Sequence, residues 1–157
     1  MAGAETTYVD PSAILKLYLH QPESPAMNAW RRRTRAPLAV THHGRAEIVN
    51  GICLAAFRGA ISAEAARDAL ASFDEDLAIG RYVLADLLWR AALQRAAELS
   101  RIHTPSLGCR TLDVLHVASA LELGKPRFLT FDTRQRKLAR AAGLRLVGLP
   151  RPGAGRG

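Results

Sequence analysis

Short runs of β-branched and aromatic residues alternate along the chain with longer stretches whose apolar positions recur every three or four residues. Thr6 to Val9 predicts a first strand. Pro11 then opens a helix through Leu19, at a position where proline's missing N–H is not needed. Pro25 to Arg33 predicts a second helix, Pro37 to Val40 a second strand, and Arg45 to Arg58 an apolar helix closed near Gly59. Ser62 caps a helix to about Phe73, Ile79 to Leu84 is a third strand, and a long helix follows from about Ala85 to Ile102. The segment HTPSLGCR is expected as a loop before a helix from Thr111 to Leu123, ended by Gly124 and Pro126. Arg127 to Phe131 predicts the fourth strand, Asp132 to Ala142 the last helix and Arg145 to Val147 a fifth short strand. Strands alternating with helices predict an α/β class: a three-layer α/β/α sandwich around a central, mainly parallel five-stranded sheet.

A chain of 157 residues fits one domain with a core of useful size, expected over residues 5–149. The final PRPGAGRG (150–157) has too little apolar surface to order itself and is expected as a flexible C-terminal tail. Hydrophobic content of 48% argues against disorder. No apolar run approaches the roughly 20 residues of a membrane span. The opening MAGAETTYVDPS lacks a secretory apolar region, so the expectation is a cytoplasmic protein without a membrane partner. The net charge of +8 favours a polyanionic partner without saying which one. Cys53 and Cys109 have no zinc or redox spacing. Cys53, in an apolar helix, is expected to be buried; Cys109, in the loop-like SLGCR, is expected as an accessible thiol.

Charge becomes informative at four acids. Asp10, Glu47, Asp113 and Asp132 each stand where an apolar strand-like run gives way to a helix. In a parallel sheet those positions share one edge, so residues distant in sequence meet in one crevice. Singly, each has a plain structural reading: Asp10 and Asp132 as N-caps, Glu47 and Asp113 as first-turn acids facing the helix dipole. Asp86 also follows a strand and is not counted among the candidates. Yet Asp113 lies in LDVLHVASAL, apolar almost all round, where an ionised carboxylate is costly unless bonded. Four clustered carboxylates repel one another, and a hard divalent cation, magnesium or manganese, removes that cost.

The ordered set of motifs YVDPSAILKLY, RAEIVNGI, TLDVLHVASAL and LTFDTRQRKLARAAGL resembles the PIN-domain ribonucleases of the VapC toxin type, from about Thr6 to Leu149. The resemblance implies a metal-dependent endoribonuclease whose acidic pocket is Asp10, Glu47, Asp113 and Asp132. Asp10 and Asp113 would ligate Mg2+ or Mn2+ directly, with Glu47 and Asp132 binding directly or through water. Ser12 and Thr130 would hold the carboxylates in place. It also implies adjacent first and fourth strands at the sheet centre, with the third strand and Asp86 at the edge. An RNA substrate, a cognate VapB-like antitoxin and a homodimer complete the implied setting. Pro11 departs from the family's usual hydroxyl residue and removes one hydrogen bond.

Two arginine-rich stretches remain. Arg31, Arg32, Arg33 and Arg35 are expected as a solvated helix face. Arg134, beside Asp132, is the expected phosphate contact. His116, three residues after Asp113, is expected to pack or hydrogen-bond beside the pocket, and His42-His43 to lie in a solvated loop. A phosphoaspartyl enzyme of the haloacid-dehalogenase type wants an Asp where this chain has Ser12, and a receiver domain wants paired acids after its first strand. The alternative from another class is a non-catalytic RNA- or partner-binding module with the same fold.

Overall fold

The computed structural model describes residues 6–153. Its elements are β1 (Thr7–Val9), α1 (Pro11–Leu15), α2 (Ser24–Arg33), β2 (Leu38–Thr41), α3 (His42–Phe57) and α4 (Ala63–Ala78). There follow β3 (Tyr82–Ala85), α5 (Trp89–Leu107), α6 (Thr111–Glu122), β4 (Arg127–Leu129), α7 (Thr133–Ala141) and β5 (Arg145–Leu146). Every strand pair is parallel: β1 with β4, β4 with β5, and β2 with β3. The five strands therefore form two ladders, β1-β4-β5 and β2-β3, with β1 and β2 lying side by side. As expected, β4 is the neighbour of β1, and β3 ends its ladder.

Alternation along the central strands divides the core in two. Val9 and Leu129 face one apolar cluster with Ile14, Met27, Leu38, Ile48, Ile52 and Phe73, contributed by α1 to α4 and β2. Their neighbours Tyr8 and Phe128 face the other, with Ala92, Leu99, Val114, Val117 and Leu138 from α5, α6 and α7. Two helical layers on opposite faces of these strands make the three-layer sandwich, its expected five-stranded sheet divided into ladders of three and two strands that lie side by side. Among the described residues, no helix is long and apolar enough to cross a membrane.

Several local expectations need correction. The histidine pair does not lie in a loop. Thr41 is the N-cap, its hydroxyl accepting the Gly44 N–H at 3.0 Å, so His42 and His43 form the first turn of α3. α4 runs past Phe73 to Ala78, and Ile79 is a helix cap with 65% exposure rather than the start of β3. α5 absorbs most of the expected HTPSLGCR loop. Pro105 is tolerated there because it lies in the last turn, before Gly108 closes the helix at φ 64°. The cysteines exchange places: Cys53 is on the exposed side of α3, while Cys109 is buried. In the first arginine stretch, Arg31 is not solvated; it is 6% exposed. The expected domain start at residue 5 and the end of the expected tail, residues 154–157, lie outside the described residues.

Candidate active site

The parallel sheet brings the ends of β1 and β4 together, and the four acids meet beyond those ends. Asp10 follows β1, Asp132 follows β4, Asp113 sits in the first turn of α6, and Glu47 lies on α3. All four line one cleft of about 280 Å3, together with Pro11, Ser12, Arg110 and Gln135. Because α3 starts three residues earlier than the sequence suggests, Glu47 is in its second turn. The helix dipole therefore does not account for it. Asp86 is far from this arrangement in character: its side chain is fully exposed, 3.8 Å from His42.

Asp10 is 6% exposed and fully engaged. Its Oδ2 accepts the Ser12 N–H at 3.0 Å and also the Ser12 hydroxyl. Its Oδ1 accepts the Gln135 side-chain amide at 2.8 Å. Gln135 is completely buried and donates a second time, to the Asp113 carbonyl at 3.3 Å. Both partners are acceptors, which fixes the amide orientation and leaves Oε1 buried without a hydrogen bond. Asp132 caps α7 by accepting the Gln135 N–H at 2.8 Å. In an ordinary capping box the residue at this third helical position would return its side chain to the N-cap N–H. Here Thr130 supplies that bond, its Oγ1 accepting the Asp132 N–H at 3.2 Å, so the Gln135 side chain reaches Asp10. One glutamine thus ties together the segments that carry Asp10, Asp113 and Asp132.

Glu47 is held from the other side of the sheet. Its carboxylate meets His116 Nε2, and His116 Nδ1 is 2.7 Å from the Tyr8 hydroxyl. His116 is 1% exposed and Tyr8 2%. Burial, chiefly, pushes the Tyr8 phenol above its ordinary range and keeps it protonated. His43 stacks on His116 with ring centroids 4.7 Å apart, and Trp89 lies 5.1 Å from His43. Burial, and then the neighbouring His116, hold the His43 pKa down at about 4.

Asp113 has the loosest partner. Arg110 Nε lies 3.2 Å from its Oδ2, but the arginine side chain is 82% exposed. Such a surface pair is worth little and is easily exchanged for another anion. Arg134 does not line the cleft; it is exposed and donates to the Gly108 carbonyl at 3.3 Å.

Sequence reasoning missed Gln135, Arg110, Tyr8 and His43. The pattern Asp132-x-x-Gln135 is a legible capping signal, but nothing local says that the glutamine looks elsewhere. Arg110, three residues before Asp113, follows helical spacing and was findable. The Tyr8–His116 contact spans 108 positions and has no local signal.

The cleft offers anionic oxygens, the donor chemistry that hard divalent cations take. Among the described residues, Arg110 is the one cation that lines it. Among the described residues, no three His, Cys, Asp or Glu side chains are grouped so as to hold a metal ion already. Glu47 is turned to His116, Asp132 to its helix cap and Asp10 to Ser12 and Gln135. The donor set fits a cation that also keeps water ligands, as magnesium does.

Residues 7–141 match the PIN domain family. The chain is 32% identical over 142 residues to Ribonuclease VapC46 of Mycobacterium tuberculosis (strain ATCC 25618 / H37Rv), covering 89% of this chain and 95% of that protein.

Proposed function

The chain belongs to the PIN-domain family, and on that premise we propose that it is a metal-dependent endoribonuclease acting as the toxin of a type II toxin–antitoxin pair. The observation that carries this reading is the convergence of Asp10, Glu47, Asp113 and Asp132 on one cleft, in a chain similar over most of its length to a named ribonuclease. Asp10 and Asp113 are assigned as direct ligands of Mg2+ or Mn2+, with Glu47 and Asp132 binding directly or through water. Such an ion supplies Lewis-acid stabilisation of charge that builds on the phosphate.

The remaining chemistry belongs to the chain's own groups. Ser12 and Gln135 fix the orientation of Asp10. Thr130 and the α7 amides fix Asp132. Glu47, tied to a buried histidine, is assigned the proton of the attacking water. The water oxygen bonds to phosphorus, the P–O bond to a ribose oxygen breaks, and that oxygen leaves as a hydroxyl with a proton taken from solvent. Arg110 can exchange Asp113 for a phosphate oxygen at little cost and so takes precedence over Arg134 as the phosphate contact. A VapB-like antitoxin, an RNA substrate and a homodimer in the cytoplasm complete the reading.

The test is cleavage of total RNA by protein purified away from any antitoxin, with magnesium. Asp10→Asn and Asp113→Asn are expected to abolish cleavage while retaining the wild-type circular dichroism spectrum. Undiminished cleavage by either folded variant defeats the assignment. Absence of cleavage by the wild-type protein, with RNA still bound, favours the non-catalytic module.

A further inference from the structure

A second pocket, of about 350 Å3, is lined by Arg31, Arg32, Arg35 and Arg81. Among the described residues, no acidic side chain lines it. Arg31 builds its floor: Nη1 donates to the Ala36 carbonyl at 2.9 Å and to Thr34, and Nη2 donates to the Arg81 carbonyl at 3.1 Å. One guanidinium therefore pins the end of α2 to the entries of both β2 and β3. Its Nε is buried without a hydrogen-bond partner. Among the described residues Arg81 has one counter-charge, Asp76 at 3.3 Å, and Asp76 is shared with the Tyr18 hydroxyl. Arg32 and Arg35 are exposed and make no ion pair or hydrogen bond among the described residues.

Helix-dipole stabilisation accounts for arginines in the last turn of α2. It does not account for Arg35, which lies beyond the helix, or for Arg81, which arrives from another part of the chain. Arg31 does the carbonyl bonding and Arg81 pairs with Asp76, so Arg32 and Arg35 bring two further cations to the pocket without an ion pair or hydrogen bond among the described residues. Four guanidinium groups facing one carboxylate, Asp76, are left with positive charge in excess, and their fork geometry matches phosphate oxygens. The pocket sits where β2 and β3 begin, whereas the four acids lie beyond the ends of β1 and β4. A four-residue strand at roughly 3.3 Å per residue separates those two edges by on the order of 13 Å. A phosphate bound by the arginines is therefore not the one being cleaved.

We propose that Arg31, Arg32, Arg35 and Arg81 form a second phosphate-binding site that engages the backbone of a folded RNA away from the cleft. This rests on the ribonuclease reading for its substrate, and it narrows that substrate to RNA large enough to reach both edges of the sheet.

The experiment measures binding in EDTA, so that cleavage plays no part. The probes are an unfractionated transfer-RNA pool and a short single-stranded oligonucleotide. The proteins are wild type, Arg32→Glu/Arg35→Glu and, as a control with the same charge change, Lys137→Glu/Arg140→Glu on the exposed side of α7. The first variant is expected to lose on the order of ten- to a hundredfold in affinity for folded RNA, with a salt slope shallower by about 2. It should lose less for the short strand, and the control should lose less for both. Equal losses in the two double variants would reduce the effect to net charge and overturn the site. So would no loss, or no binding of folded RNA by the wild-type protein. Arginine-dependent binding without magnesium-dependent cleavage would leave the site standing and remove the ribonuclease reading instead.

Discussion

Replacing Gln135 with leucine isolates the part of the cleft that depends on a single buried amide. The side chain is fully buried, and its loss withdraws a 2.8 Å hydrogen bond from the Asp10 carboxylate, itself only 6% exposed. A hydrogen bond to a charged group contributes about 1.5–3 kcal/mol. The weaker 3.3 Å bond to the Asp113 carbonyl is lost as well. Against this, the variant no longer buries the unpartnered Oε1, which returns roughly 1 kcal/mol. The net destabilisation is about 2 kcal/mol, a fall in Tm of roughly 4–8 °C for a domain of this size. The functional consequence is larger, because Asp10 loses the contact that orients one oxygen. Outer partners of metal ligands typically contribute about 10–100-fold in affinity or activity. Thermal unfolding and isothermal titration with Mn2+ read the two effects separately. Wild-type Tm together with wild-type Mn2+ affinity in Gln135→Leu would refute the positioning role.

His116→Phe should keep the helix content yet lower RNA cleavage by about 10–100-fold, since it releases Glu47 and withdraws the imidazole from the Tyr8 hydroxyl; cleavage at the wild-type rate contradicts this. His43 supplies a pH test. Its pKa is about 4 in the native protein and 6.5 when unperturbed, so the unfolded chain binds a proton in that window that the native protein refuses. Native stability is therefore unaffected by this group above pH 6.5 and falls as pH drops from 6.5 toward 4. The stability of wild type relative to His43→Leu, from urea unfolding, should therefore fall on acidification through that window; a constant difference contradicts the burial argument.

How far the sequence could be read differs sharply between backbone and side chains. The alternation of β-favouring and helical runs was enough for the α/β class, because residues such as Val9 and Tyr8 can each find a separate layer only if both faces of the sheet are covered. The four acids were visible because a carboxylate beside Val9 or Val114 is costly without a purpose. Boundaries failed where side chains overrode local signals. The Thr41 cap drew two histidines into α3, and Pro105 stayed helical because the helix was about to end anyway. The partners of the acids were hidden for a different reason. His116 reaches Tyr8 and Glu47, and Gln135 reaches Asp10, across 69 to 125 positions. Composition does not encode such pairings; the register of β1 against β4 and the packing of α6 and α7 decide them.

The most direct measurement is Mn2+ stoichiometry by electron paramagnetic resonance on purified wild type, Asp10→Asn and Asp113→Asn, with RNA cleavage followed in the same samples before and after chelation. The carboxylate cleft predicts Mn2+ bound to wild type, weakened or lost in both variants, with cleavage stopped by EDTA and restored by Mg2+. Equal Mn2+ binding in all three proteins, or cleavage that proceeds unchanged in EDTA, would contradict it.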